Sequence, residues 1–483
     1  MAPWRQPLFE FLRQMIRQTK RIDNEQRTED LRSRHIPRLL LSYALPAVVG
    51  TSVNALYNIA DRIFIGQGVG EYAISGLTLT FPIMIFLQAF GMLVGAGASV
   101  RVSILLGMKD QAGAERILAN AIMLTIVLSV MTIVPSYIFM EPLLRLFGAS
   151  DRTLPYAMDY LRVIIPGNIF ATLSFSYNAV MRASGYPTKA MIQMILGAVL
   201  NVALDALFIF VFDWGIAGAA WATVISMFVT MLFVMEHFTD KNSLIRFRRS
   251  AMRPSRSMIV SILGIGMAPF AMQLVGSAVT IVLNRSFVHY GGGGELSDLA
   301  IGVYGIINSY AMLVVMLVLG ISQGMQPIVG FNYGAGNMDR VLYTYKLSVF
   351  TNSLITVIGF LLGILLPSVI VGFFTPSHSM ISIGESAMRI ALLSFGFVGF
   401  QITTTQLFQS IGMSMKAMFL SLSRQVIFLL PLLLILPRLF GLDGVWMAMP
   451  ISDFSAAVIT FVLVKQQLKK MKGNHTGHAH APL

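Results

Sequence analysis

The chain has 483 residues, of which 55% are hydrophobic and only 12% charged. Soluble globular proteins carry about 25% charged residues, so about half of the usual solvating surface is missing. With 41 Gly, 33 Phe and 31 Met spread through long apolar runs and no Cys, the composition excludes a soluble enzyme, a fibre, a disordered chain and any thiol chemistry, and predicts an all-α integral membrane protein.

In chain order, residues 1–38 hold nine Lys or Arg and no apolar run able to form a signal-peptide core. The first such run, from Leu39 to about Ile65, is too long for a cleaved signal, so the basic segment is expected to be retained. Within it Leu8, Phe9, Phe11, Leu12, Met15 and Ile16 recur at helical spacing beside Arg13, Arg17, Lys20 and Arg21. That pattern reads equally as a short amphipathic helix on an anionic membrane surface or as a solvated tail.

Twelve spans follow, at about 39–65, 72–105, 114–140, 155–180, 188–212, 217–239, 258–288, 299–331, 341–372, 383–411, 417–438 and 445–466. They divide the chain into a first lobe (39–240), a basic linker (241–257), a second lobe (258–468) and a tail (469–483). Basic residues cluster on one side, in the N-terminal segment, in the linker (Lys241, Arg246, Arg248, Arg249, Arg253, Arg256) and in the tail (Lys465, Lys469, Lys470, Lys472). The opposite loops hold chiefly Arg145, Arg152 and Arg438. The positive-inside rule places both termini in the cytoplasm, so the net charge of +13 is a topology signal and not a nucleic-acid footprint.

The two lobes are copies of one six-span unit. Ala44-Leu45-Pro46 matches Met267-Ala268-Pro269, and Asp61-Arg62-Ile63-Phe64 matches Asn284-Arg285-Ser286-Phe287. Gly107 pairs with Gly334, Gly185 with Gly412, Lys189 with Lys416 and Arg162 with Arg389, at offsets of 223 to 227. An even number of spans per copy gives parallel repeats, and two similar lobes around a central cleft is an architecture of alternating-access transporters.

Acidic groups inside a bilayer cost several kcal/mol, so each needs a reason. In span one Asn54, Asn58 and Asp61 share a helical face, and Pro46 earlier in the same span removes a backbone donor and can kink it. In span five Asn201 and Asp205 are one turn apart, and Thr223 lies early in span six. All reach the same half of the first lobe. Two carboxylates gathered there are poised to take up and release a proton or cation, and a buried network that only fixes helix packing is the alternative. The second copy aligns Asn284 with Asp61, Met449 with Thr223, and Pro431 and Leu432 with Asp205. It keeps the scaffold without the acids, which assigns ion coupling to the first lobe. Asp453 is expected to pair with Arg424. Asn54, Asn58, Gln273, Asn308 and Gln323 are candidates to line a substrate cleft, although each singly suits an inter-helix hydrogen bond better than a substrate contact. His475, His478 and His480 lie in the tail and suggest no more than weak metal binding.

Given the repeats, the Pro46 to Asp61 span, Arg182-Ala183-Ser184-Gly185-Tyr186-Pro187-Thr188 and Asn332-Tyr333-Gly334-Ala335-Gly336-Asn337, the chain resembles the multidrug and toxic compound extrusion (MATE) family. Its Pro46, Asp61, Asn201, Asp205 and Thr223 are similar to the DinF-like branch that includes MepA-like pumps. The resemblance implies export of cationic, often aromatic drugs in exchange for H+ or Na+. The ion would be held by Asp61 and Asp205 with Asn201 and Thr223 as neutral donors, and Pro46 would allow span one to bend. Another branch carries acids in spans seven and ten, where this chain has Asn284 and only Glu385. No cofactor, no other metal site and no enzyme activity are expected. The expected setting is a bacterial inner membrane, with the protein a monomer. The rival readings are a lipid-linked glycan flippase of the same superfamily, using Arg162, Arg285, Arg389 and Arg424 on phosphates, an intramembrane enzyme, and a passive channel.

Overall fold

The computed structural model describes residues 24–248, 251–292, 294–375 and 377–473. The amphipathic segment at 8–21 and the tail histidines 475, 478 and 480 lie outside the described residues. The described residues are helical and contain no strand. A short polar helix α1 (Asn24–Ser33) precedes α2 (Ile36–Gly68), α3 (Glu71–Gly107), α4 (Gln111–Ile138) and a short α5 (Met140–Leu146). Next come α6 (Leu154–Ala183), α7 (Pro187–Asp205) with a π-helical extension over Ala206–Val211, and α8 (Gly215–Thr239). The second half comprises α9 (Arg256–Tyr290), α10 (Glu295–Gly334), α11 (Met338–Leu365), α12 (Pro367–Phe374), α13 (His378–Ala391), α14 (Val398–Ser410), α15 (Ser414–Leu422) and α16 (Leu430–Gly473).

The helices α2, α3, α4, α6, α7 with its extension, α8, α9, α10 and α11 are each long and apolar enough to cross a membrane, and they make the first nine spans. Span ten is two pieces, α13 and a helix over Phe395–Ser410, bent by 50° at their junction. The apolar helix over Ser414–Met471 has 58 residues, about 87 Å at 1.5 Å per residue, far beyond a hydrocarbon core of about 30 Å. It is broken at Gly441, whose φ of 57° and ψ of −134° leave the helical region, so it makes two spans. The total is the twelve expected from the sequence.

Local chemistry explains the breaks. Asp110 caps α4 by accepting a hydrogen bond from Gly113 N at 2.8 Å. The α6–α7 corner turns through Gly185 at φ 94°, with Pro187 opening α7, and the α14–α15 corner turns through its repeat partner Gly412 at φ 79°. The short helices α5 and α12 occupy matching places in the two copies.

The chain forms two compact units: residues up to Leu263 with Gly330–Ala335, and Gly264–Val329 with Gly336–Leu483. In the first, a Cβ on Gly107 would collide with the Phe331 carbonyl, and one on Gly334 would collide with the Ile104 carbonyl. These repeat-related glycines thus let α3 and the foot of α10 touch backbone to backbone. The linker is sewn to the same unit: Arg248 Nε lies 2.8 Å from the buried Glu115 Oε2, and Asn120 Oδ1 accepts from Ser255 N at 2.9 Å. In the second unit Phe287 packs on Trp446 with ring centroids 4.6 Å apart, both buried.

Candidate ion-binding site

Four helices of the first unit bring the site together. Asp61 comes from α2, Asn201 and Asp205 from one face of α7, Thr223 from α8 and Tyr160 from α6. Asp205 is the last residue of α7 before the π-helical turn, a distortion that re-aims side chains and recurs at functional sites. All five are buried, Asp205 completely and Asp61 with 8% of its surface exposed. Ile65, Ile164, Ile209, Ile216 and Ala219 form a dry wall that includes the Tyr160 ring.

Asn201 Nδ2 donates to Thr223 Oγ1 at 3.2 Å. The Tyr160 phenol lies near the Thr223 hydroxyl and in the field of both carboxyl groups and of Tyr57. Asp61 and Asp205 are direct neighbours, and Arg62 is the cation acting on Asp61. Arg62 itself is exposed and stacks over the Phe81 ring at 4.6 Å. Asp61 Oδ1, both oxygens of Asp205 and Asn201 Oδ1 are buried without a hydrogen-bond partner among the described residues. Burying an unpaired carboxylate costs several kcal/mol, and two side by side cost more. A proton shared by the pair, or a small cation held by these oxygens, removes that cost. Two carboxylates with amide, hydroxyl and phenol oxygens form a hard-oxygen donor set.

Tyr160 and Tyr57 do not stand out in the sequence, because a lone tyrosine in an apolar span has the pattern of an ordinary core aromatic. Pro46 sits inside α2, which continues through it. Of the cleft candidates, Asn54 is exposed in the first unit, and the Asn58 side chain lies outside the described residues. Gln273, Asn308 and Gln323 belong to the second unit, with Asn308 exposed and the two glutamines half-buried. Asn308 and Gln323 are separated by about 22 Å along α10, so they do not form one contact point.

The second unit handles its half-buried Asp453 differently. Asp453 of α16 lies 3.2 Å from Arg424 Nε, as its sequence context suggests. Arg389 is held by Glu385 at 2.7 Å, and in the first unit Arg162 is held by Asp159 at 3.3 Å. Among the described residues no group of three or more His, Asp or Glu is placed to hold a metal ion.

The family model described as MatE matches residues 46–207 and 293–435, one segment in each repeat. The chain belongs to the MatE family. It is a multi-pass membrane transporter and not an enzyme. It is 27% identical over 427 residues to the multidrug export protein MepA of Staphylococcus aureus strain MRSA252, covering 88% of this chain and 93% of that protein. The outward-facing structure of a multidrug resistance MATE family transporter of the MOP superfamily superposes with a TM-score of 0.85 at 26% identity, covering 92% of this chain and 98% of that one. A MATE structure in the bent conformation gives 0.87 at 25% identity, covering 93% and 99%.

Proposed function

We propose that this chain is a cation-coupled multidrug antiporter, exporting cationic or amphipathic compounds from the cytoplasm of a bacterial cell across its inner membrane. The observation that carries the reading is the Asp61–Asp205 pair, buried in the first unit with three of its carboxylate oxygens unpartnered among the described residues. H+ or Na+ entering from outside occupies the pair, with Asn201, Thr223 and Tyr160 supplying neutral oxygen. Neutralising the pair favours one shape of α2, in which Pro46 lies fifteen residues before Asp61 and removes a backbone hydrogen bond. The ion does work only because it binds one conformation better than the other. The likeness to MepA, a multidrug export protein, supports drug export, and the bent and straight conformations of solved MATE relatives support a change of shape.

The flippase reading needs unpaired cations for phosphates. Of its four arginines, Arg162, Arg389 and Arg424 each have a carboxylate within 3.3 Å, which disfavours it, while Arg285 is exposed with no ion pair among the described residues. All the ion ligands come from one chain, so a monomer suffices.

The test is release of a preloaded cationic dye from proteoliposomes under an imposed H+ or Na+ gradient. Wild type is expected to respond to one of the two gradients. Asp61→Asn and Asp205→Asn are expected to lose at least tenfold of the gradient-driven flux while eluting as folded protein. Normal pumping by both variants would make the pair structural and overturn the mechanism.

A further inference from the structure

The helix α1 precedes the first span, is polar over most of its length and is nevertheless docked on the first unit. Among its described side chains only Leu31 is fully buried, at 1% exposed. The Leu31 carbonyl accepts from Asn332 Nδ2 at 3.1 Å, which ties α1 to the foot of α10. One turn earlier, Arg27 Nη1 donates to the Gly185 carbonyl at 3.1 Å, and its guanidinium lies 4.2 Å from the centre of the Tyr186 ring. Tyr186 is a hub: its hydroxyl accepts from Leu244 N of the linker at 3.1 Å, and its ring meets His237 of α8 edge-on at 4.4 Å.

Three segments therefore converge on the α6–α7 corner: α1, the linker and the end of α8. Asn332 lies in Gly330–Ala335, the piece of α10 that packs with the first unit while the helix before it belongs to the second. At its other end α1 is separated from α2 by only Arg34 and His35, and α2 carries both Pro46 and Asp61. One small helix thus pins the start of the ion-binding span and the point where α10 enters the first unit. Leu31 is the sole apolar residue of α1, so its docking buries little apolar surface, which suits reversible docking.

We propose that α1 is a clasp that undocks from the α6–α7 corner once per transport cycle, freeing the start of α2 to move when the ion site fills or empties. The proposal rests on the chain being a transporter, whichever ion drives it.

The chain has no cysteine, so engineered thiols report without background. A Cβ built on Gly185 lies 3.7 Å from Arg27 Cβ, close to the disulfide mean of about 3.8 Å. In the double variant Arg27→Cys/Gly185→Cys, oxidation is expected to abolish multiple-turnover dye flux, with dye binding retained and flux restored by reductant. Flux by the reduced variant tests the transporter reading separately. Full cross-linking with undiminished flux would overturn the clasp. Since Gly185 has a positive φ and Cys there is strained, a second measurement uses Leu31→Cys alone. Maleimide labelling of this buried position is expected to accelerate at least fivefold when substrate and gradient drive turnover, and at rest when Arg27→Ala is added. Labelling that ignores turnover would equally overturn the proposal.

Discussion

The side chains of the proposed ion site differ in what each removal should cost. Thr223 accepts the Asn201 amide and lies near the Tyr160 phenol, so Thr223→Val removes a neutral oxygen and orphans the Asn201 donor at nearly constant volume. A loss of about 1–3 kcal/mol of ion binding, roughly 5- to 150-fold in the ion concentration needed for half-maximal flux, is expected from such a change. Proteoliposome flux titrated against the coupling ion measures it, and an unchanged midpoint would remove Thr223 from the site. Arg424 makes the opposite case. Arg424→Ala leaves Asp453, with 14% of its side chain exposed, without its counter-charge. About 2–3 kcal/mol of stability should be lost, partly discounted because Arg424 is a third exposed. Thermal unfolding of the detergent-solubilised protein should show the loss, with the ion dependence of flux unmoved.

At the scale of helices, Pro46 and the paired glycines do different work. Pro46→Ala restores the missing backbone donor inside α2 and should stiffen it. The expected result is a fall in turnover of about tenfold with ion affinity unchanged, read from flux and binding measured on the same preparation. Gly334→Val would instead drive a side chain into the Ile104 carbonyl. It should cost about 1–3 kcal/mol or more, seen as lower expression and melting temperature. The apolar runs made all twelve spans legible in the sequence, because a bilayer demands continuous apolar stretches. The 50° bend between α13 and the next helix, the π-helical turn after Asp205 and the docking of α1 were not legible. Each depends on packing partners distant in sequence. The linker at 241–257 behaves the same way: its charges carry a topology signal, but its path is set by Glu115 and Asn120 of α4. In the site, Asp61, Asn201, Asp205 and Thr223 stood out because polar groups are costly in a membrane. Tyr160 did not, since its ring alone justifies a buried place.

For the molecule as a whole, the duplication produces two units with one scaffold and unequal electrostatics. Both copies turn through a left-handed glycine at the same corner, Gly185 and Gly412, and follow the third span with a short helix. Yet the second unit pairs its half-buried Asp453 with Arg424, while the first buries two carboxyl groups with three oxygens unpartnered among the described residues. Under the proposed mechanism, coupling is a property of the first unit alone. Linkage then requires that the drug and the ion weaken each other's binding by the same factor. The most direct measurement is the affinity of the purified protein for a cationic dye, titrated against pH and against Na+ separately. Wild-type affinity is expected to fall as the coupling ion rises, and the Asp61→Asn/Asp205→Asn double variant to bind dye with no such dependence. A double variant that retains the full wild-type ion dependence would contradict the assignment of coupling to this pair.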